Sequence, residues 1–252
     1  HDGATTTIDA SVTNFETMTL ATSAAGPTAA ILLTTDDANV AAGKSMTVTA
    51  TAANALAAVT FNASAETNGT YTYVGGAAVD TVTGGDLGDT ISGNGGKDVI
   101  DGGAGGDTLN GGDGDDTITI GTGADTVDGG AGKDKIIAGA NLTAADTIDG
   151  GDGNDTFNVT QTALINTTTL TGAVVKNVET ATLTSGTSAN VVNTSGWTGL
   201  NTLNVNGVTA QTVTAAATTD VNLTGSAHTG AVIVTGGKDV TVTSTGGDAG
   251  TT

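Results

Sequence analysis

Aspartate recurs at every ninth position through the middle of the chain, at Asp80, Asp89, Asp98, Asp107, Asp116, Asp125 and Asp134. The beat then slips by three residues to Asp146 and resumes nine later at Asp155. Two residues after each Asp stands one large apolar residue, in order Val82, Ile91, Ile100, Leu109, Ile118, Val127, Ile136, Ile148 and Phe157, and glycines crowd the positions before it. A residue that repeats on a fixed short period marks a stacked repeat architecture. Here the repeated residue is a charge, so the chemistry it implies is cation binding.

The elements that must position these carboxylates follow from the unit, which approximates Gly-Gly-x-Gly-x-Asp-x-(apolar)-x and is clearest at 102–110, 111–119 and 129–137. Six Gly-rich residues can follow a turn closed to other side chains, and the remaining three make a minimal strand with one inward apolar side chain. No unit buries that side chain alone. Two units per coil, stacked at the ~4.8 Å strand spacing, predict a thin two-sided roll with a continuous apolar seam. Stacking sets each Asp over the Asp of the next unit but one. One edge then carries Asp80, Asp98, Asp116, Asp134 and Asp155, and the other Asp89, Asp107, Asp125 and Asp146. Like charges ~4.8 Å apart repel by roughly 3.5 kcal/mol at an effective dielectric near 20. One buried Ile or Leu contributes about 1.5–3 kcal/mol, so the roll should not form without counter-ions. A hard divalent cation between coils removes the repulsion. An irregular, oxygen-only cage favours Ca²⁺ over Mg²⁺, and the absence of Cys and of clustered His excludes zinc and copper.

Composition narrows the partners. The 252 residues carry a net charge of −20, with only 6 basic residues, all of them Lys. Nucleic acid and anionic membrane are disfavoured, because phosphate binding needs clustered Lys and Arg. No stretch approaches the apolar length of a membrane helix, so no membrane insertion is expected. With no Cys, neither disulfides nor thiolate metal sites are available. The chain opens at His1 without a signal peptide and reads as a piece of something longer. More than fifty Thr, 40 Gly and 1 Trp (Trp197) suit short strands and tight turns rather than an aromatic-rich globular core.

Three zones separate by texture: a strand segment over 1–74, the nonapeptide segment over 75–158, and a second strand segment over 159–252. The flanks alternate Thr or Val with apolar residues, as in Met46-Thr47-Val48-Thr49 and Thr70-Tyr71-Thr72-Tyr73-Val74, the period of a strand. Short strand cores about ten residues apart in 159–252 predict a β-solenoid with one strand per coil. A longer-range repeat also exists: Val12-Thr13-Asn14-Phe15-Glu16-Thr17-Met18-Thr19-Leu20 matches Val175-Lys176-Asn177-Val178-Glu179-Thr180-Ala181-Thr182-Leu183.

The central segment resembles the Ca²⁺-binding nonapeptide of RTX proteins. That resemblance implies an all-β fold, a right-handed parallel β-solenoid containing a calcium-binding RTX β-roll. It also implies a ligand set. Each ion takes carbonyls from repeat positions 2 and 4 and the Asp of one coil, with carbonyls from positions 1 and 3 and the Asp of the next. Three sites are then implied: Asn94, Gly96 and Asp98 with Gly111, Asp113 and Asp116; Gly103, Gly105 and Asp107 with Ile120, Thr122 and Asp125; and Gly112, Gly114 and Asp116 with Gly129, Ala131 and Asp134. Ala78 and Leu87 replace Gly at position 4 of the first two units, so sites using Gly76 and Asp80, or Gly85 and Asp89, should be weaker. The three-residue insertion before Asp146 puts that ligand in doubt, and Asp155 ends the ladder. About five Ca²⁺ ions are expected, with seven as the ceiling set by pairing each unit with the next but one.

The flanks are similar, less specifically, to the solenoid stretches of RTX-type bacterial surface-layer proteins such as those of Caulobacter, through Asn177-Val178-Glu179-Thr180 and the 193–203 stretch. This implies a surface-layer subunit exported by type I secretion to the extracellular face of a bacterium. Its partners would be copies of itself in an array, and cell-surface polysaccharide. The alternative expectation is the RTX region of a larger secreted adhesin, toxin or hydrolase. No enzymatic activity is expected within these residues, which carry neither a His-Glu-x-x-His zinc motif nor a Gly-x-Ser-x-Gly nucleophile elbow.

Overall fold

The structure, a computed structural model, describes residues 6–7, 16–20, 31–50, 58–161, 172–185, 190–207, 211–225 and 232–244. His1, His228 and the first part of the 12–20 repeat copy lie outside them. Every strand pairing among the described residues is parallel. The chain winds as a β-solenoid with two long faces. One is a 12-stranded sheet that runs from Thr6–Thr7 through Val59–Asn62, Val99–Asp101, Thr117–Thr119, Thr156–Gln161 and Thr202–Asn206 to Val240–Ser244. The other is a 9-stranded sheet from Thr17–Thr19 through Thr70–Val74, Thr90–Gly95, Thr108–Asp113 and Thr126–Gly132 to Val174–Lys176. A 3-stranded sheet of Asn190–Asn193, Gln211–Thr214 and Val232–Thr235 follows. Among the described residues no helix is long and apolar enough to cross a membrane.

The flanking coils differ from expectation in one respect: each supplies two strands rather than one, as Ser45–Thr49 and Val59–Asn62 show on opposite faces. Strand cores ten residues apart are therefore successive faces of one coil, not successive coils. Register explains how the nonapeptide sits in this frame. Leu109 pairs with Ile91 and with Val127, and Ile118 with Ile100 and with Ile136, so every apolar residue of the repeat stacks on its counterpart one coil away. These side chains are essentially fully buried, as are Val82, Ile148 and Phe157. The flanks bury two residues per strand instead of one: Met46 and Val48, Tyr71 and Tyr73, Ala181 and Leu183, Leu203 and Val205. Their aromatic residues gather at the two ends of the nonapeptide segment. Phe61 packs edge-on against Tyr71 (centroids 5.3 Å apart) and stacks on Tyr73 (5.6 Å), and Phe157 lies 5.7 Å from Trp197.

Candidate metal centre

The Gly-rich turns aim carbonyl oxygens along the stacking axis. Gly112 and Gly114 sit at φ of 106° and 132°, a region that side chains rarely adopt. Space forbids a side chain there as well. A Cβ on Gly114 would fall 1.4 Å from the Gly96 carbonyl oxygen, and one on Gly112 would fall 2.0 Å from that of Asn94. The same approach recurs as Gly103 O under Gly121, Gly105 O under Gly123, Gly112 O under Gly130 and Gly114 O under Gly132. Positions 2 and 4 therefore present their carbonyls to the coil above. These are the first-coil carbonyls assigned from sequence: Asn94, Gly96, Gly103, Gly105, Gly112 and Gly114.

The carboxylates form the two expected columns, and a backbone relay fixes them. The N–H of each Asp donates to Oδ1 of the Asp one coil on: Asp80 to Asp98 (2.6 Å), Asp98 to Asp116 (2.7 Å), Asp116 to Asp134 (2.8 Å) and Asp134 to Asp155 (2.7 Å). Along the other edge Asp89 donates to Asp107 (2.8 Å), Asp107 to Asp125 (2.9 Å) and Asp125 to Asp146 (2.9 Å). Before the columns start, Val59 and Tyr71 N–H groups donate to Asp80 and Asp89 (2.8 and 2.6 Å). All nine Asp residues are buried, at 2 % exposure or less.

The second carboxylate oxygen divides the nine into two groups. Oδ2 of Asp98, Asp107, Asp116, Asp125, Asp134 and Asp155 is buried with no hydrogen-bond partner. The other three are satisfied by protein donors. Asp80 Oδ2 accepts from Gly76 N–H (3.1 Å) and the Tyr73 hydroxyl (3.2 Å), Asp89 Oδ2 from Gly85 N–H (2.8 Å), and Asp146 Oδ2 from Thr143 N–H (2.7 Å). These three are the units whose turns depart from the repeat. Gly76 and Gly85 lack the positive φ found at position 2 of the later units. Leu87 turns its carbonyl: the atoms nearest a Cβ on Gly105 are Gly88 N and Leu87 C, at 2.3 and 2.5 Å, not the Leu87 oxygen. Ala78, by contrast, keeps its oxygen 2.6 Å from the corresponding point on Gly96. The insertion before Asp146 brings in Thr143, which also bonds Oδ1 through its hydroxyl (3.1 Å). Thr143 was not singled out from sequence; an Asp preceded three residues earlier by Thr was the available signal.

Five of the six unpartnered oxygens, all but that of Asp125, lie beside a carbonyl of the next coil. Asp98 Oδ2 and Gly111 O lie 2.2 and 2.6 Å from the point where a Gly93 Cβ would sit. Asp107 Oδ2 and Ile120 O flank Gly102 in the same way (2.5 and 2.6 Å), and Asp116 Oδ2 and Gly129 O flank Gly111 (both 2.4 Å). The position-3 carbonyls Asp113, Thr122 and Ala131 accept one ladder bond each from Gly96, Gly105 and Gly114 N–H (2.8, 2.8 and 2.7 Å). Each retains a second lone pair. The coils that carry the residues assigned to the three sites around Asp98, Asp107 and Asp116 are stacked in register on one another.

Burial raises the affinity of these carboxyls for protons, since the charged form loses its hydration, and neighbouring Asp charges add to the effect. Asp98 and Asp107 are pushed up to about 7 and Asp134 to about 6, against a lowering by the backbone N–H that each accepts. Asp116, Asp125 and Asp155 move the same way, again through desolvation. A buried anion with an unpartnered oxygen is costly, and a cation can satisfy it. Among the described residues no three His, Cys, Asp or Glu side chains converge. Such a cation must therefore draw most of its ligands from backbone carbonyls. Two carboxylates and four carbonyls, all oxygen, fit the six-to-eight-oxygen preference of Ca²⁺.

A parallel roll with buried carboxylate columns and inter-coil oxygen cages is a metal-organised repeat. Residues 74–109, 83–118, 110–141 and 143–159 match the family of the RTX calcium-binding nonapeptide repeat (four copies), so the roll is built of RTX repeats. Neither the curated proteins nor the solved structures compared with the chain give a match.

Proposed function

We propose that the chain is a calcium-dependent extracellular structural protein, a lattice subunit of a bacterial surface layer, in which Ca²⁺ stabilises both fold and assembly. The observation that carries the calcium dependence is the set of six buried, unpartnered Oδ2 atoms, five of them beside a carbonyl oxygen of the adjacent coil. The structural role rests on continuity. The 12-stranded sheet passes without interruption from one flank through the roll into the other, so an ion bound in the middle stiffens a single rod. Acidity (net −20) keeps such rods apart at low calcium and lets divalent ions bring them together. Copies of the chain are the partner this reading requires, with cell-surface polysaccharide as the anchor.

Electron microscopy of the protein with and without millimolar Ca²⁺ tests this reading. Ordered sheets that dissolve in chelator support the lattice role. Monomeric protein at saturating Ca²⁺, or sheets indifferent to chelator, would contradict it.

A further inference from the structure

Among the repeat aspartates, one unpartnered oxygen has no further Asp above it. Oδ2 of Asp98, Asp107, Asp116, Asp125 and Asp134 each has an Asp on the coil above to share an ion with. Asp155 is the last Asp of the repeat, fully buried, and its Oδ2 is orphaned in the same way. What lies above it is the turn at Asn177-Val178-Glu179. The alignment is fixed on both sides: Lys176 pairs with Asp149, and Thr180 with Thr156. Asn177 therefore stands over Gly150, repeat position 1, and Glu179 over Asp155, position 6. Only Val178 separates them, where the repeat has four residues.

Three features show that this shortened turn still works as a repeat turn. Glu179 Oε2 accepts the Asp155 N–H at 2.7 Å, the bond that every earlier Asp makes through Oδ1; the additional methylene of Glu spans what the missing residues would have. Asn177 takes a positive φ of 52°, which Asn tolerates better than most side chains. Its carbonyl oxygen lies 1.9 Å from the point where a Gly150 Cβ would sit, and Asp155 Oδ2 lies 2.9 Å from the same point, the arrangement found at Gly93, Gly102 and Gly111. Gly151 and Gly153 hold positions 2 and 4 of the lower coil with positive φ of 91° and 153°. Above Glu179 the column stops, because the residue over it in the next coil is Asn201 and not a carboxylate.

We infer that Asn177-Val178-Glu179 closes the roll with an additional Ca²⁺ site. Its ligands are the carbonyls of Gly151, Gly153 and Asn177 and the carboxylates of Asp155 and Glu179. The site lacks the position-3 carbonyl, and Glu179 is partly exposed, so water completes the shell and this ion exchanges faster than those inside the roll. The inference rests on the calcium reading of the roll but adds a ligand type and a turn length outside the nonapeptide pattern.

The test counts ions. Bound Ca²⁺ is measured by equilibrium dialysis and atomic emission on the full chain and on Glu179→Gln, which keeps an acceptor for the Asp155 N–H but removes the charge. In parallel, Tb³⁺ replaces Ca²⁺ and is excited through Trp197, which packs on Phe157 two residues beyond Asp155. The Gln variant should keep the β-structure of the Ca²⁺-loaded protein, bind one ion fewer and lose most Trp-sensitised Tb³⁺ emission. An unchanged ion count with unchanged emission overturns the inference and leaves the roll intact. A wild-type chain that binds no Ca²⁺ overturns the calcium reading itself. Should the Gln variant not fold, Glu179→Asp decides, since it keeps the charge but shortens the reach. One ion selectively weakened supports the site, and all ions unchanged rejects it.

Discussion

The roll and its flanks solve the same stacking problem with different currencies of cohesion. A flanking coil buries two apolar side chains per strand, including Phe61, Tyr71 and Tyr73, and tolerates drift in coil length, with Ile31 pairing to Val59 and Ser45 to Thr70. A roll coil stacks one large apolar residue from each nonapeptide and keeps its carboxylate relay at a spacing of 18 residues until the insertion stretches it to 21. A coil held by apolar area can vary, because area is non-directional. A coil held by ions cannot, because carbonyls and carboxylates from both coils must meet at one point. Regularity in the repeat is thus a requirement of coordination, and the flanks are free of it.

That contrast can be broken by substitutions of similar size in the two regions. The largest effect is expected from Gly114→Ala, which combines an unfavourable φ with a Cβ 1.4 Å from the Gly96 oxygen. Strain and overpacking together predict a loss on the order of 3–5 kcal/mol in Ca²⁺-loaded protein. Gly139→Ala, with a φ of 56° and nothing within 4 Å, is the control and should lose about 1 kcal/mol. Equal losses in thermal unfolding would mean that the turn carbonyls are not closely stacked.

Leu203→Ala, in the flank, should lose about 2–5 kcal/mol, and by the same amount with or without Ca²⁺. A calcium-dependent loss there would erase the distinction between the regions. Within the roll, Asp116→Asn removes a charge shared by two cages, whereas Asp80→Asn removes one already held by Gly76 and Tyr73. Titration with Ca²⁺ should show fewer ions and a higher folding midpoint for the first variant than for the second; identical stoichiometry would count against the division of the nine Asp residues.

The smallest effect is on pH dependence. Carboxyls titrate near 4 in an unfolded chain, whereas Asp98 and Asp107 titrate at about 7 and Asp134 at about 6 in the folded roll. The metal-free roll binds more protons than the unfolded chain in this window, so its stability is greatest below about pH 4 and is lost as pH rises through about 7. Chelated protein should therefore gain β-structure on mild acidification, while apparent Ca²⁺ affinity falls over the same range because protons compete. Circular dichroism showing the reverse trend in chelated protein would contradict the burial of these groups.

Much of this was legible in the repeat itself. The two columns and the pairing of each unit with the next but one follow from a nine-residue period that allows two strands per coil, while the carbonyls of positions 2 and 4 came from the resemblance to the RTX nonapeptide. The doubtful units could also be picked out, because Ala78, Leu87 and the insertion before Asp146 break the pattern visibly. How each broken unit resolves was hidden. Tyr73 and Thr143 satisfy Asp80 and Asp146 through contacts that depend on the register of neighbouring coils, which no local spacing reveals. Glu179 was visible only as part of a repeated motif; its place over Asp155 needs both flanking strand registers. The two strands per flanking coil were missed because Thr-rich strands look alike on either face.

The most direct test of ion-held and area-held coils within one rod is segment-resolved hydrogen exchange with and without Ca²⁺. In chelator at neutral pH, amides of 90–137 should lose protection, while those of 59–74, 202–206 and 211–224 keep theirs; at millimolar Ca²⁺, in the ~10⁻⁴–10⁻³ M range of extracellular modules, all of them should be protected. Protection of 90–137 that persists in chelator would show that the carboxylate columns are stable without a cation, and the account would fail.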